Sequence, residues 1–398
     1  MDGQNLSDAD GPTMLIGEDW PEIRESVSRI CEPFDNDYWM KLDDASEYPD
    51  KFVQALTDAG YLATLIPEEF GGSGLPISAA CAVLETIHAA GCNAAACHAQ
   101  MYTMGTVLRH GSDEQKQKFL PGIATGELRM QAFGVTEPTT GSDTTQLKTK
   151  AVREGNQYVV NGQKVWTSRA LQSDLMLLLA RTTPADEVKR RSDGVSVFLV
   201  DLREAVGNGL EIRKLDAAIN HNTCEVFMDN LKLAPDTLIG EEGRGFKYIL
   251  DGMNAERILI AAESIGDAKF FIKKSIDYAN DRVVFGSPIG KNQGVQFPIA
   301  RAYAEAQAAE MMVRKAAAMF DQGVPCGAEA NMAKMLASEA AWKAAEACMQ
   351  THGGFAFAKE YGIERKWRET RLYQIAPIST NLILGYIGQH VLGMPRSY

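Results

Sequence analysis

At 398 residues the chain has the length for two or three domains and a large buried core, and its 45% hydrophobic and 23% charged residues are ordinary for a globular protein. No run approaches the ~18–20 consecutive apolar residues of a membrane span, and a formal net charge of −12 speaks against nucleic acid, whose phosphates need a basic surface. The opening MDGQNLSDADGPTM is acidic and polar, unlike a secretory signal or an Arg-rich transit peptide, so a cytoplasmic location is expected.

Residues 1 to about 18 lack periodicity and read as a loose arm. From Trp20 to about Tyr102 the pattern is helical. Ile23, Val27, Ile30 and Cys31 share a face, as do Phe52, Leu56 and Ala59 ahead of the stop residue Gly60. LIPEEFGGSGLP breaks the helices, and Ile77 to His98 reads as one buried helix. Glu68, Glu69 and His98 read as structural or solvated, with His98 satisfied by a backbone carbonyl. The seven cysteines are odd in number and form no CxxC pair, which predicts reduced, buried thiols. No metal site is expected.

The stretch from Phe133 to Ala170, FGVTEPTTGSDTTQLKTKAVREGNQYVVNGQKVWTSRA, changes character. Thr136-Glu137-Pro138 leads into a Thr/Gly/Ser/Asp cluster. Val152, Tyr158, Val159 and Val160 are β-formers, and Asn161-Gly162 supplies the turn residues of a hairpin. Trp166, Thr167 and Ser168 set an indole beside two hydroxyls, which suits a flat heteroaromatic ligand. On composition alone, an ordinary antiparallel domain with one core Trp fits as well. LMLLLART, VSVFLVDL, LEIRKLD and TCEVFMDNLKL continue the β pattern to about Leu238, with KRR at 189–191 a solvated turn. From about Gly243 three long helical segments follow, of the kind that pack as a bundle.

The pattern T-E-P-x-x-G-S-D followed by G-x-x-Y-x-x-N-G-x-K-x-W-x-S resembles the flavin-binding signature of the acyl-CoA dehydrogenase family. DRVVFGSPI is similar to that family's R-x-x-F-G-x-x-I, and MQTHGGFAF to its Q-x-x-G-G-x-G-F, with Ala356 in place of a Gly. The likeness runs from about Leu42 to Gly393. It implies an α+β fold of three parts: an N-terminal α-helical domain (1–132), a middle β-barrel or sandwich domain (133–240) and a C-terminal four-helix bundle (241–398). It also implies an FAD cofactor, an acyl-CoA substrate, an electron-transfer flavoprotein as partner and a homotetramer.

Residue by residue, the resemblance assigns Thr136 and Ser168 to the flavin ring, Trp166 to stacking on it and Ser142 to the neighbourhood of the pyrophosphate and substrate. Arg282 matches a residue that reaches the pyrophosphate in a neighbouring subunit. Phe285, Gln293, Gln350, Gly353, Gly354, Ser379 and Asn381 complete the cofactor set. Where the family has W-I-T/S-N, this chain has Trp166-Thr167-Ser168-Arg169, which bears on how exposed the flavin edge is.

Removing an α proton from an acyl thioester needs a general base, and a desolvated carboxylate suits it. Many family members carry that Glu in a segment like Y-Q-I-Y-E-G-T. Here the segment is Tyr373-Gln374-Ile375-Ala376-Pro377-Ile378-Ser379-Thr380, with no carboxylate. A minority branch of isovaleryl-CoA type carries the base on a long helix, in a sequence like L-E-R-L-V-L-A. Asn254-Ala255-Glu256-Arg257-Ile258-Leu259 matches it, so Glu256 inherits the role and Arg257 a place at the thioester end. Pro377 lacks the N–H that the family aims at the thioester oxygen. That departure keeps two other readings open: a same-fold oxidase or desulfinase acting on a CoA thioester, and a non-catalytic relative.

Overall fold

The computed structural model describes residues 18–396, so most of the expected N-terminal arm lies outside the described residues. Six helices come first: α1 (Pro21–Cys31), α2 (Asn36–Ala45), α3 (Asp50–Asp58), α4 (Ile77–Ala89), α5 (Ala95–His110) and α6 (Asp113–Thr125). The stretch expected as one helix from Ile77 to His98 is two. Gly91, at φ 82°, turns the chain after Ala90, and α5 sets off from Ala95. Ser112 and Gln115 close a capping box at the start of α6.

The middle of the chain forms a curled, mostly antiparallel sheet. Its strands are β1 (Ala132–Gly134), β2 (Lys150–Glu154), β3 (Gln157–Ser168), β4 (Leu175–Arg181) and β5 (Val195–Asp201); after a short α7 (Leu202–Ala205) come β6 (Leu210–Lys214) and β7 (Thr223–Leu233). The path runs β1-β4-β2-β3-β7-β6, with β5 also on β4. All of β4 is buried because its faces serve different cores. Leu175, Leu177 and Leu179 pack toward α5 and α6, while Met176, Leu178 and Ala180 pack inside the sheet. That explains an unbroken apolar run where a half-solvated strand would alternate.

The β2–β3 hairpin turns at Gly155-Asn156, not at Asn161-Gly162 as expected. Gly155 holds φ 60°, and Asn161-Gly162 sits inside β3 at a shift in register against β7. The reason is packing rather than turn chemistry. A Cβ on Gly162 would come within 2.7 Å of the Thr149 Cα, so the glycine allows a close backbone approach.

The last part contains α8 (Gly245–Asp281), a small hairpin of β8 (Val283–Val284) and β9 (Ser287–Pro288), α9 (Gln293–Asp321), α10 (Gly327–His352), α11 (Ile363–Arg371) and α12 (Thr380–Tyr386). At 37 residues α8 runs ~55 Å. Its middle third is buried almost all round, because it packs on α4 and α5 as well as on α9 and α10. One apolar core therefore joins the first helices to the bundle. All seven cysteines are free and buried.

Candidate active site

The Thr136–Ser168 segment is fixed by a buried ion pair. Lys164, fully buried, donates to Glu137 Oε1 at 2.9 Å and to the Val135 carbonyl at 3.1 Å. The other donors to the Glu137 carboxylate are the N–H groups of Lys148 at 2.6 Å and Thr149 at 2.9 Å. Burial opposes the charge, but Lys164 and these donors outweigh it and hold Glu137 below the usual carboxylate range. The Val165 N–H donates to the Thr136 carbonyl at 2.9 Å, which sets Thr136 beside Trp166.

Trp166 is not a core residue. Its φ is 61° and it is 60% exposed, so strained backbone presents an apolar plane to the surface. Among the described residues, buried Thr167 Oγ1 beside it has no hydrogen-bond partner, and half-buried Ser168 reaches Thr223 Oγ1 at 3.4 Å. An uncovered indole, an unsatisfied hydroxyl and the half-buried hydroxyls of Thr136 and Ser168 fit a flat ring system with polar edges. Ser142 lies exposed in the loop before β2.

Glu256 lies on α8, 7% exposed. Burial pushes its carboxyl up to about 7, with His98, Arg257 and Lys334 pulling in the other direction. Arg257 is held by Asn254, whose Oδ1 accepts at 3.0 Å from Nη1. Lys334, on α10 and fully buried, donates from Nζ to the Ile378 carbonyl at 2.7 Å. It thereby ties the loop holding Pro377 to the helix facing Glu256. The following residue, Ser379, caps α12 by accepting from the Leu382 N–H at 3.4 Å, and Asn381 is exposed in that helix.

The face of α5 completes this region. His98 does not find a backbone carbonyl: its Nδ1 lies 3.1 Å from Glu263 Oε1, and its buried Nε2 has no partner. Its ring packs edge-on against Tyr102 at 5.2 Å, and Tyr102 against Phe133 at 5.6 Å. Further along α8, Asp267 pairs with His88 at 2.8 Å and with Lys366 at 2.5 Å, all three fully buried. The sequence held a signal for this network. Glu256, Glu263 and Asp267 recur at i, i+7 and i+11, on one buried face of α8.

Arg282, Phe285, Gln293, Gln350, Gly353 and Gly354 are brought together elsewhere. The Arg282 guanidinium lies 5.6 Å from the Phe355 ring centroid, which joins the end of α8 to the turn after α10. Phe285 is fully exposed at φ 52°. Twenty-six residues of helix separate Glu256 from Arg282, ~39 Å at 1.5 Å per residue. Within one chain Arg282 thus lies far along α8 from Glu256.

Three family models match the chain in succession: acyl-CoA dehydrogenase N-terminal domain over residues 18–127, middle domain over 132–231 and C-terminal domain over 243–392. An acyl-CoA dehydrogenase of Mycobacterium tuberculosis named FadE12 is 33% identical over 389 residues, 97% of this chain and 99% of its own. A glutaryl-CoA dehydrogenase of Desulfococcus multivorans is 32% identical over 94% of this chain and 96% of its own. Among solved structures, a glutaryl-coenzyme A dehydrogenase in complex with glutaryl-CoA superposes with a TM-score of 0.89 at 29% identity, covering 97% of this chain and 98% of that one.

Proposed function

The chain belongs to the acyl-CoA dehydrogenase family, whose members are FAD-dependent, and from that premise we propose that it catalyses α,β-dehydrogenation of an acyl-CoA thioester to the 2-enoyl-CoA. The observation that carries this reading is Glu256: a buried carboxyl, raised to about 7, within electrostatic reach of Tyr102 and His98. Such a group is basic enough to take an α proton and is about half ionised at neutral pH. Bound FAD supplies the acceptor for the β hydride.

Thr136, Trp166 and Ser168 hold the ring system, with Ser142 near the pyrophosphate and substrate. Arg257 orients the thioester end. The Glu137–Lys164 pair fixes the strand that carries Trp166, and Lys334 fixes the loop at residues 376–379. Arg282, Phe285, Gln293, Gln350, Gly353 and Gly354 complete the cofactor site of a neighbouring copy in a homotetramer, Arg282 lying ~39 Å along α8 from Glu256 in its own chain. Ser379 and Asn381 lie with the Glu256 end instead. An electron-transfer flavoprotein in the cytoplasm takes the electrons.

The test is anaerobic mixing of the flavin-loaded protein with a panel of acyl-CoAs. Bleaching of the oxidised flavin band is expected, with Glu256→Gln slowing it about 10²- to 10⁴-fold. No bleaching with any thioester, or a Glu256→Gln variant as fast as the parent, defeats the proposal. Pro377 favours one second reading. With no N–H there to polarise the thioester carbonyl, the fold could serve an oxidase or desulfinase, which oxygen consumption or sulfite release in the same assay would reveal.

A further inference from the structure

None of these roles uses His98. It is 6% exposed, its Nδ1 lies 3.1 Å from Glu263 Oε1, and its ring packs edge-on against Tyr102 with centroids 5.2 Å apart. Among the described residues, neither His98 Nε2 nor Glu263 Oε1 has a hydrogen bond. Glu263 is 1% exposed. Burial opposes its charge, but His98 and His88 outweigh that and hold it below the usual carboxylate range. Two neighbouring buried polar atoms without a hydrogen bond are costly, and a ligand group that pairs with both offsets that cost.

Helix register puts this pair on the same seam as the proposed base. His98 on α5 meets Glu263 on α8. Arg109, in the last turn of α5, lies where a Cβ on Gly252 of α8 would come within 2.6 Å of its guanidinium. The two helices therefore run antiparallel, and the level of Glu256 on α8 falls near Gly105 on α5. From there the α5–α8 seam runs two helical turns, ~10 Å, to the level of His98. Tyr102 lies along that line, within electrostatic reach of both Glu256 and Glu263. Of the charges that act on Glu256, His98 has the largest effect. On its other side Tyr102 packs on Phe133 at 5.6 Å, three residues ahead of Thr136.

We propose that His98 and Glu263 recognise the acyl chain, and that the substrate is a CoA thioester carrying a hydroxyl group several carbons beyond the reacting pair. A hydroxyl both donates and accepts, so it pairs with Nε2 in either protonation state and also with the acceptor-only carboxylate. A ketone lacks the donor that Glu263 requires, and a terminal carboxylate would meet a second buried anion. A plain alkyl chain leaves both atoms unpaired. This deepens the dehydrogenase reading and rests on Glu256 as its base, which fixes where the reacting carbons lie.

Binding can be measured without turnover, on flavin-loaded Glu256→Gln protein. Dissociation constants are determined for ω-hydroxyacyl-CoA thioesters of about five to eight carbons, lengths that bracket the ~10 Å seam. Each is paired with the alkyl thioester that has methyl in place of the hydroxyl. At the preferred length the hydroxyl member is expected to bind about 10- to 100-fold more tightly, the range for a buried polar group otherwise left unpaired. Adding His98→Phe, which keeps a ring against Tyr102, should collapse that ratio toward one. His98→Gln, which keeps a donor and an acceptor and is the safer variant for folding, should retain only part of it. A ratio near one in the parent at every length overturns the proposal. So does tighter binding of the matched thioester that ends in a carboxylate, or a ratio that neither His98 variant changes. Selective binding that depends on His98, with no thioester bleaching the flavin of the wild-type protein, would instead remove the dehydrogenase reading and leave the hydroxyl site standing.

Discussion

The carboxyl of Glu256 is set by what surrounds it, and three neighbours make that testable. A base that must be ionised gives a kcat/KM that falls as pH drops through its pKa, so the acid limb should lie near the value of about 7. Lys334 favours the ionised form, and removing it should move the limb to higher pH. We expect Lys334→Met to shift the midpoint upward in a pH–rate profile and also to loosen the 376–379 loop by losing the bond to Ile378. An unshifted limb would mean that Lys334 only anchors the loop. The residue types and spacing around Glu256 were legible in the sequence. Its neighbours were not: His98 lies 158 positions away and Lys334 78, so only the packing of α5 and α10 on α8 brings them to it.

At the scale of elements, two local arrangements carry distinct costs. Gly162 lies against the Thr149 backbone, so Gly162→Ala should destabilise by about 1–3 kcal/mol. Gly155 has open space around it and only its φ of 60° to maintain, so Gly155→Ala should cost about 1 kcal/mol. Thermal melts of the pair would rank them. The same packing explains why Asn161-Gly162 misleads as a turn signal: a glycine reports close approach as readily as a bend. Between helices, Asp267 joins α8 to His88 on α4 and Lys366 on α11. Burial opposes its charge, yet Lys366 and then His88 hold it down to about 2 from 3.8. A carboxylate depressed in the folded state contributes stability above its unfolded pKa and loses it as pH falls through the folded one. That contribution should be complete above about pH 4 and fade toward pH 2. Asp267→Asn, which takes the nearer of its two carboxylates from buried Lys366 and leaves Glu369 at 3.3 Å, should cost about 3–5 kcal/mol at neutral pH. In urea titrations the gap to wild type should narrow over that acid window.

For the molecule as a whole, a group of exposed apolar residues lies in the segments that carry the second cofactor set. Val283, Val284, Phe285, Phe297, Phe355 and Phe357 are all at least 40% exposed. Single exposed apolar side chains are unremarkable, but a group of this size around Arg282 marks an interaction surface. Phe285→Asp should reduce both the assembled mass, read by light scattering, and the retention of FAD on gel filtration. Loss of one without the other would argue against a cofactor site shared between copies.

The sequence alone determined the family likeness, the α–β–α order and the candidates Thr136, Trp166 and Glu256, because each rests on residue types at short spacing. It did not determine which residues meet. Trp166 could have been core or surface, and its exposure at φ 61° shows that it is not core. The resemblance already assigned Arg282 to a neighbouring subunit's cofactor, and the continuous 37-residue α8 sets Arg282 ~39 Å from Glu256 within one chain. Arg169 stood out in the sequence only as an unusual residue in a motif. That it is a buried cation follows from the packing of α2, α5 and α11 around the end of β3, since burial belongs to the packed chain and not to any stretch of it.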